Sequence, residues 1–154
     1  MKLADLHRPT GTFVGVRLTS RSIAQLQGWM DQNLLDHAEP AETLHTTLVI
    51  SKDKPIAIHP LKYDPVVLID PSTYEIELFG DDKDVMVLSF DSKFLQARHM
   101  QLRKKYNLSW DFPEYNPHIT LSYTPQEIQT DLEPPTFEIE LEREYVEEFG
   151  NYES

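Results

Sequence analysis

The chain has 154 residues, 40% of them hydrophobic, which is one ordinary domain's worth of sequence with enough apolar material for a core. Fourteen basic residues against 26 acidic ones give a formal charge of −12. That excess argues against gripping long nucleic acid through its backbone, yet leaves room for a small anion in a local pocket. There is no cysteine, so disulfides, thiolate metal sites and a cysteine nucleophile are excluded.

Residues 12–18 alternate, with Val14, Val16 and Leu18 on one face and Phe13, Gly15 and Arg17 on the other, which predicts a strand. Ser22 and Gln25 form a capping-box pattern, and Ile23, Leu26, Met30 and Leu34 fall on one stripe, so a helix is expected over 22–35. A second strand is expected over 44–51. Residues 52–62, with two prolines, read as loop, and 66–70 as a short strand. Strands at 74–79 and 84–90 flank a turn at 80–82. Asp91 or Ser92 is placed to cap a helix running to about Tyr106. An aromatic loop at 109–117 leads into a strand at 118–123. A loop at 125–135 precedes a long strand at 137–145, with Glu138, Glu140, Glu142 and Glu144 expected on its outer face. No apolar run spans a membrane and residues 1–11 lack a signal-peptide core, so a cytoplasmic protein is expected.

The order strand, helix, strand occurs twice, and both copies end in His-x-Thr-Leu: LHTTLVIS and PHITLSY. Alternation along a strand puts His45 and Thr47 on one face, with Val49 and Ser51 beyond them. His118, Thr120 and Ser122 repeat the pattern. Leu44, Leu48, Ile50, Ile119 and Leu121 then point into the core. If the two units pack about a pseudo-two-fold axis, two imidazoles and two hydroxyls surround one small volume. That set suits a phosphodiester. A neutral histidine takes a proton from the attacking hydroxyl and a protonated one gives a proton to the leaving oxygen. The threonines donate to the non-bridging phosphate oxygens, where charge grows. No metal or other cofactor is needed.

LHTTLVIS and EYNPHITLSY resemble the paired HxT motifs of the two-histidine (2H) phosphoesterase superfamily. Within it the chain looks most like the bacteriophage anti-CBASS phosphodiesterases, over roughly residues 13–145. The resemblance implies an α+β fold. It would be a single bilobal domain over 1–154, with two pseudo-symmetric β-α-β lobes and antiparallel sheets flanking a central cleft. His45, Thr47, His118 and Thr120 would be catalytic. The substrate would be a small 3′–5′-linked cyclic di- or trinucleotide messenger of bacterial defence, in the host cytoplasm, with no long nucleic acid, membrane or obligate protein partner. Phe13, Tyr74, Tyr115, Glu144 and Glu147 are the candidates for contacts to the substrate. Ser51 and Ser122 are candidates for cleft lining, and Arg17 for a phosphate contact or an ion pair. His99 reads as a hydrogen-bonded, semi-buried histidine on its helix stripe, while His7, His37 and His59 carry no role. Alternative functions are cleavage of 2′,3′-cyclic phosphate or 2′–5′-linked RNA ends, and sequestration of a nucleotide without cleavage.

Overall fold

Alternation of apolar and polar residues produces seven strands, and two amphipathic stripes produce the helices between them. The computed structural model describes residues 10–52, 55–127 and 131–149. His7, residues 128–130 of the expected loop at 125–135 and residues 53–54 of the loop at 52–62 lie outside them. In chain order the elements are β1 (Gly11–Leu18), α1 (Ser20–Asn33), β2 (His45–Ser51), β3 (Lys62–Ile69), β4 (Glu75–Phe79), β5 (Val85–Ser89), α2 (Lys93–Tyr106), β6 (His118–Ser122) and β7 (Ile139–Phe149). All pair antiparallel in one sheet of order β3-β7-β1-β2-β6-β5-β4. The two lobes meet at its centre, where β2 and β6 share the single register pair Thr46 and Ile119.

Helix α1 starts earlier than the capping box suggests. Thr19 is its N-cap, accepting the Ser22 amide at 3.2 Å. Ser22 is buried within the first turn, and its hydroxyl accepts the Glu140 amide of β7 at 2.7 Å. Leu26, Met30 and Leu34 are fully buried on the stripe, each stabilising the fold by about 1.5–3 kcal/mol through area removed from water. Helix α2 is capped by Ser92, whose hydroxyl accepts the Leu95 amide, and ends at Asn107 in the left-handed conformation.

One face of the sheet is covered by the core and the helices, and the other carries the two motifs. The covered face includes Val14, Val16, Leu48, Val49, Leu88, Ile119 and Leu121. Each motif strand, β2 and β6, carries a β-bulge at the same motif position. Gly15 pairs with Thr47 and Val14 with Val49, so Leu48 is the extra residue. Val87 pairs with Thr120 and Met86 with Ser122, so Leu121 is the extra residue. A one-residue insertion inverts the facing of everything beyond it. Val49 therefore joins the core, and Ile50 moves to the open side. Ser51 and Ser122, expected in the cleft, are instead fully buried on the covered face. There Ser51 meets the Ser109 hydroxyl at 3.1 Å and Ser122 accepts the Thr124 amide.

The bulges are also where the lobes tie together. The Leu48 carbonyl accepts from Nδ1 of His99 on α2 at 2.6 Å. The Leu121 carbonyl accepts from the Glu39 amide, in the segment after α1, at 2.8 Å. Each lobe's helical excursion thus holds the motif strand of the other.

Candidate active site

Strands β2 and β6 lie side by side and antiparallel, so the pair Thr46 and Ile119 sets Thr47 opposite His118 and His45 opposite Thr120. The two histidines and two threonines form a checkerboard on the open face. Nδ1 of His45 bonds to the Thr43 carbonyl at 2.8 Å, and Nδ1 of His118 to the Asn116 carbonyl at 2.8 Å. In both cases the partner is the residue two positions earlier. A carbonyl only accepts, so Nδ1 carries the proton and Nε2 is left for a ligand. An aromatic edge flanks each ring, Phe13 against His45 with centroids 5.6 Å apart and Phe79 against His118 at 4.8 Å. Burial lowers the His118 pKa below the ordinary histidine value, and the nearby His45 pushes the same way against the Asn116 carbonyl and the Glu77 charge. His118 is therefore poised in its neutral form. Neither threonine hydroxyl bonds another group among the described residues, which leaves both for a phosphate.

Around this centre the sequence-derived candidates divide. Phe13 and Glu147 lie directly opposite each other on β1 and β7, on the open face, with Glu147 exposed. Tyr145 belongs there as well, and sequence reading passed it over. Its ring sits 5.7 Å from Phe13 and under the Arg17 guanidinium at 4.2 Å, and it crosses over Gly15. A Cβ at Gly15 would lie 2.5 Å from that ring, so only glycine permits the approach. Arg17 is thus a cleft residue stacked on an aromatic, with no ion pair to a carboxylate among the described residues.

Glu144 is not in the cleft. The extra residue Glu142 shifts the frame of β7 against β1, and Glu144 pairs with Val16 on the covered face. Its side chain is fully buried. Arg98 of α2 grips it through Nε at 2.7 Å and Nη2 at 2.9 Å, and the Leu61 amide and Tyr63 hydroxyl donate to it as well. Four donors on one carboxylate leave it nothing to offer a substrate. Nor is it on an outer face, as expected for the glutamates of this strand. Glu140, by contrast, is half-buried and accepts from Thr19.

Tyr115 also lies behind strand β2. Its ring stacks on His99 at 4.3 Å, and its hydroxyl donates to the Thr47 carbonyl at 2.7 Å. It braces the strand and has no face free for a base. His99 is buried and hydrogen-bonded, as its place on the stripe implied. Tyr74 is 6% exposed, with its hydroxyl donating to the Phe137 carbonyl at 2.9 Å. It forms one wall of a cavity of about 440 Å³ beside His118, also lined by Glu75, Glu77, Phe79, Ser89 and Asn116. That volume is within the usual range for small-molecule sites. Phe79 and Glu77 went unnoticed in the sequence, although their alternation with Glu75 before the turn at 80–82 puts all three on one face.

A family profile described as "Anti-CBASS protein Acb1" matches residues 10–153. The chain is 31% identical over 126 residues to a protein of that name from Acinetobacter phage Ac42, covering 80% of this chain and 78% of the relative. It is 28% identical over 147 residues to another from Enterobacteria phage T4, covering 90% and 88%. Among solved structures, a phosphoesterase superposes with a TM-score of 0.65 at 16% identity, covering 90% of this chain and 87% of the other. E. coli LigT complexed with ATP superposes at 0.62 and 18% identity with the same coverage, which establishes a shared fold.

Proposed function

From the premise that the chain belongs to the anti-CBASS protein Acb1 family, we propose that it is a phosphodiesterase. It cuts the 3′–5′ linkages of cyclic di- and trinucleotide messengers in the host cytoplasm and so disarms the defence they trigger. The observation that carries this reading is the checkerboard of His45, Thr47, His118 and Thr120, with Nδ1 of each histidine tied to a backbone carbonyl so that Nε2 is left for a ligand.

In the proposed reaction, Nε2 of neutral His118 accepts the proton of the attacking hydroxyl, from water or a ribose 2′-hydroxyl. The oxygen adds to phosphorus as the bond to the leaving oxygen breaks. Protonated His45 gives its Nε2 proton to that oxygen. Thr47 and Thr120 donate hydrogen bonds to the non-bridging oxygens, which bear the growing charge. In this reading Phe13 and Glu147 on one side, and the cavity walled by Tyr74, Glu77 and Phe79 on the other, contact the nucleosides. Each histidine is worth about 10²- to 10⁴-fold in rate.

The test is chromatography of 3′,3′-cyclic GMP-AMP after incubation with purified protein in EDTA, beside His45→Ala and His118→Ala. Conversion to a linear dinucleotide by the wild type, lost in both variants, is expected. An intact ligand, or equal conversion by either variant, would discard this reading.

A further inference from the structure

We propose that Arg17, Arg143 and Lys62 form a phosphate-binding stripe that holds the phosphodiester groups of the substrate not being cut, an inference that rests on the function proposed above. The three are consecutive cross-strand neighbours. Arg17 pairs with His45 on one side and with Arg143 on the other, and Arg143 pairs with Lys62. The row therefore runs from the catalytic histidine across β1 and β7 to β3. All three lie on the open face, because Val16, Glu144 and Tyr63, which alternate with them, are buried on the covered one. Arg143 and Lys62 are exposed, and Arg17 is aimed along the cleft floor by its stack on Tyr145.

Two features set the row apart from an ordinary solvated surface. The chain has 26 acidic residues and 14 basic ones, yet none of the three cations is ion-paired with a carboxylate among the described residues. Like charges directly opposite on neighbouring strands also destabilise a sheet. An anion lying along the row removes that cost. The other end of the same row, past Thr120 and Val87, is Glu77. The row is thus cationic at one end and anionic at the other, which orients a ligand with several phosphates.

The span fixes the ligand class. Strands are spaced by about 4.8 Å, so Arg143 stands about 10 Å from His45 and Lys62 about 14 Å. A phosphate held between the histidines does not reach Lys62, whereas two or three linked phosphodiesters do.

The test is equilibrium binding in the His118→Ala background, where the ligand survives. It compares 3′,3′-cyclic GMP-AMP with a nucleoside 3′-monophosphate, with and without Arg143→Gln plus Lys62→Gln. The double substitution is expected to weaken the cyclic dinucleotide about tenfold or more, the loss of one or more charge-assisted contacts, while the monophosphate stays within about twofold. Equal weakening of both ligands, no weakening of the dinucleotide, or no binding of it at all overturns the stripe. Turnover by the chain with His118 intact, followed in parallel, separates the two claims. Cleavage with binding unaffected by the substitutions discards the stripe and keeps the phosphodiesterase. Stripe-dependent binding without cleavage does the reverse.

Discussion

For a single histidine, the atom that trades protons matters more than the residue's identity. The carbonyls of Thr43 and Asn116 fix a proton on Nδ1 of His45 and His118 and leave Nε2 to face the ligand. Burial then favours the neutral form of His118 by holding its pKa below the ordinary value. Under the proposed mechanism this makes His118 the base and His45 the acid. The assignment is testable with a nucleoside 3′-(4-nitrophenyl phosphate), whose leaving group departs without a proton. His45→Ala is expected to keep most of the wild-type rate on this ester, while His118→Ala loses about 10²-fold or more. Spectrophotometric release of nitrophenolate reads both rates. The opposite order would exchange the two roles, and equal losses would remove the distinction.

At the scale of elements, the two strands owe their geometry to bulges, and this is where the sequence was least legible. The repeat of strand, helix, strand and the two HxTL motifs were readable because periodicity and spacing are local. So was the stripe of α1, although its cap moved back to Thr19 once Ser22 was engaged by β7. The bulges at Leu48 and Leu121 were not readable, since an extra residue appears only against a partner strand. Ser51, Ser122 and Val49 were misplaced for that one reason, and the extra Glu142 hid Glu144 in the same way. The first half of strand β3 is hidden in the sequence by Pro65, so its pattern shows only from Val66. The loop sequence around Tyr115 says nothing of the His99 ring stacked on it or the carbonyl it bonds, which is why it reads as a base contact. Its observed role carries a prediction. Tyr115→Phe removes the bond to the Thr47 carbonyl at the edge of the bulge. A stability loss of about 0.5–1.5 kcal/mol is expected, or a Tm lower by roughly 2–6 °C for a domain of this size. As a positioning residue it should lower kcat several-fold with little change in KM, since Thr47 is displaced while the rest of the cleft stays. An unchanged kcat beside the expected Tm shift would show that the brace serves stability alone.

At the scale of the whole molecule, buried polar groups join the lobes, and they make stability depend on pH in a direction that can be worked out. Arg98 and Glu144 tie α2 to β7, and His99 ties α2 to β2. The His99 pKa is lowered by burial, with the Leu48 carbonyl opposing and the Arg103 charge adding to the effect, and that of His118 is lowered mainly by burial. A histidine whose folded pKa lies below its unfolded value contributes full stability above the unfolded value, near 6.5, and loses it as pH falls through the folded value. In that window the unfolded chain binds protons that the folded chain refuses, so stability rises with pH. The slope approaches about 1.4 kcal/mol per pH unit for each histidine at most. The acidic net charge works the other way at lower pH, where protonation of carboxylates relieves repulsion, so the histidine effect is isolated by difference. Urea unfolding between pH 7.5 and 5.5 is expected to show falling stability in the wild-type chain and a shallower slope in His99→Gln, whatever the variant's absolute stability. Parallel slopes for the two proteins would mean that His99 titrates alike in the folded and unfolded chains. The bond that holds α2 on strand β2 of the other lobe would then have no share in the acid sensitivity.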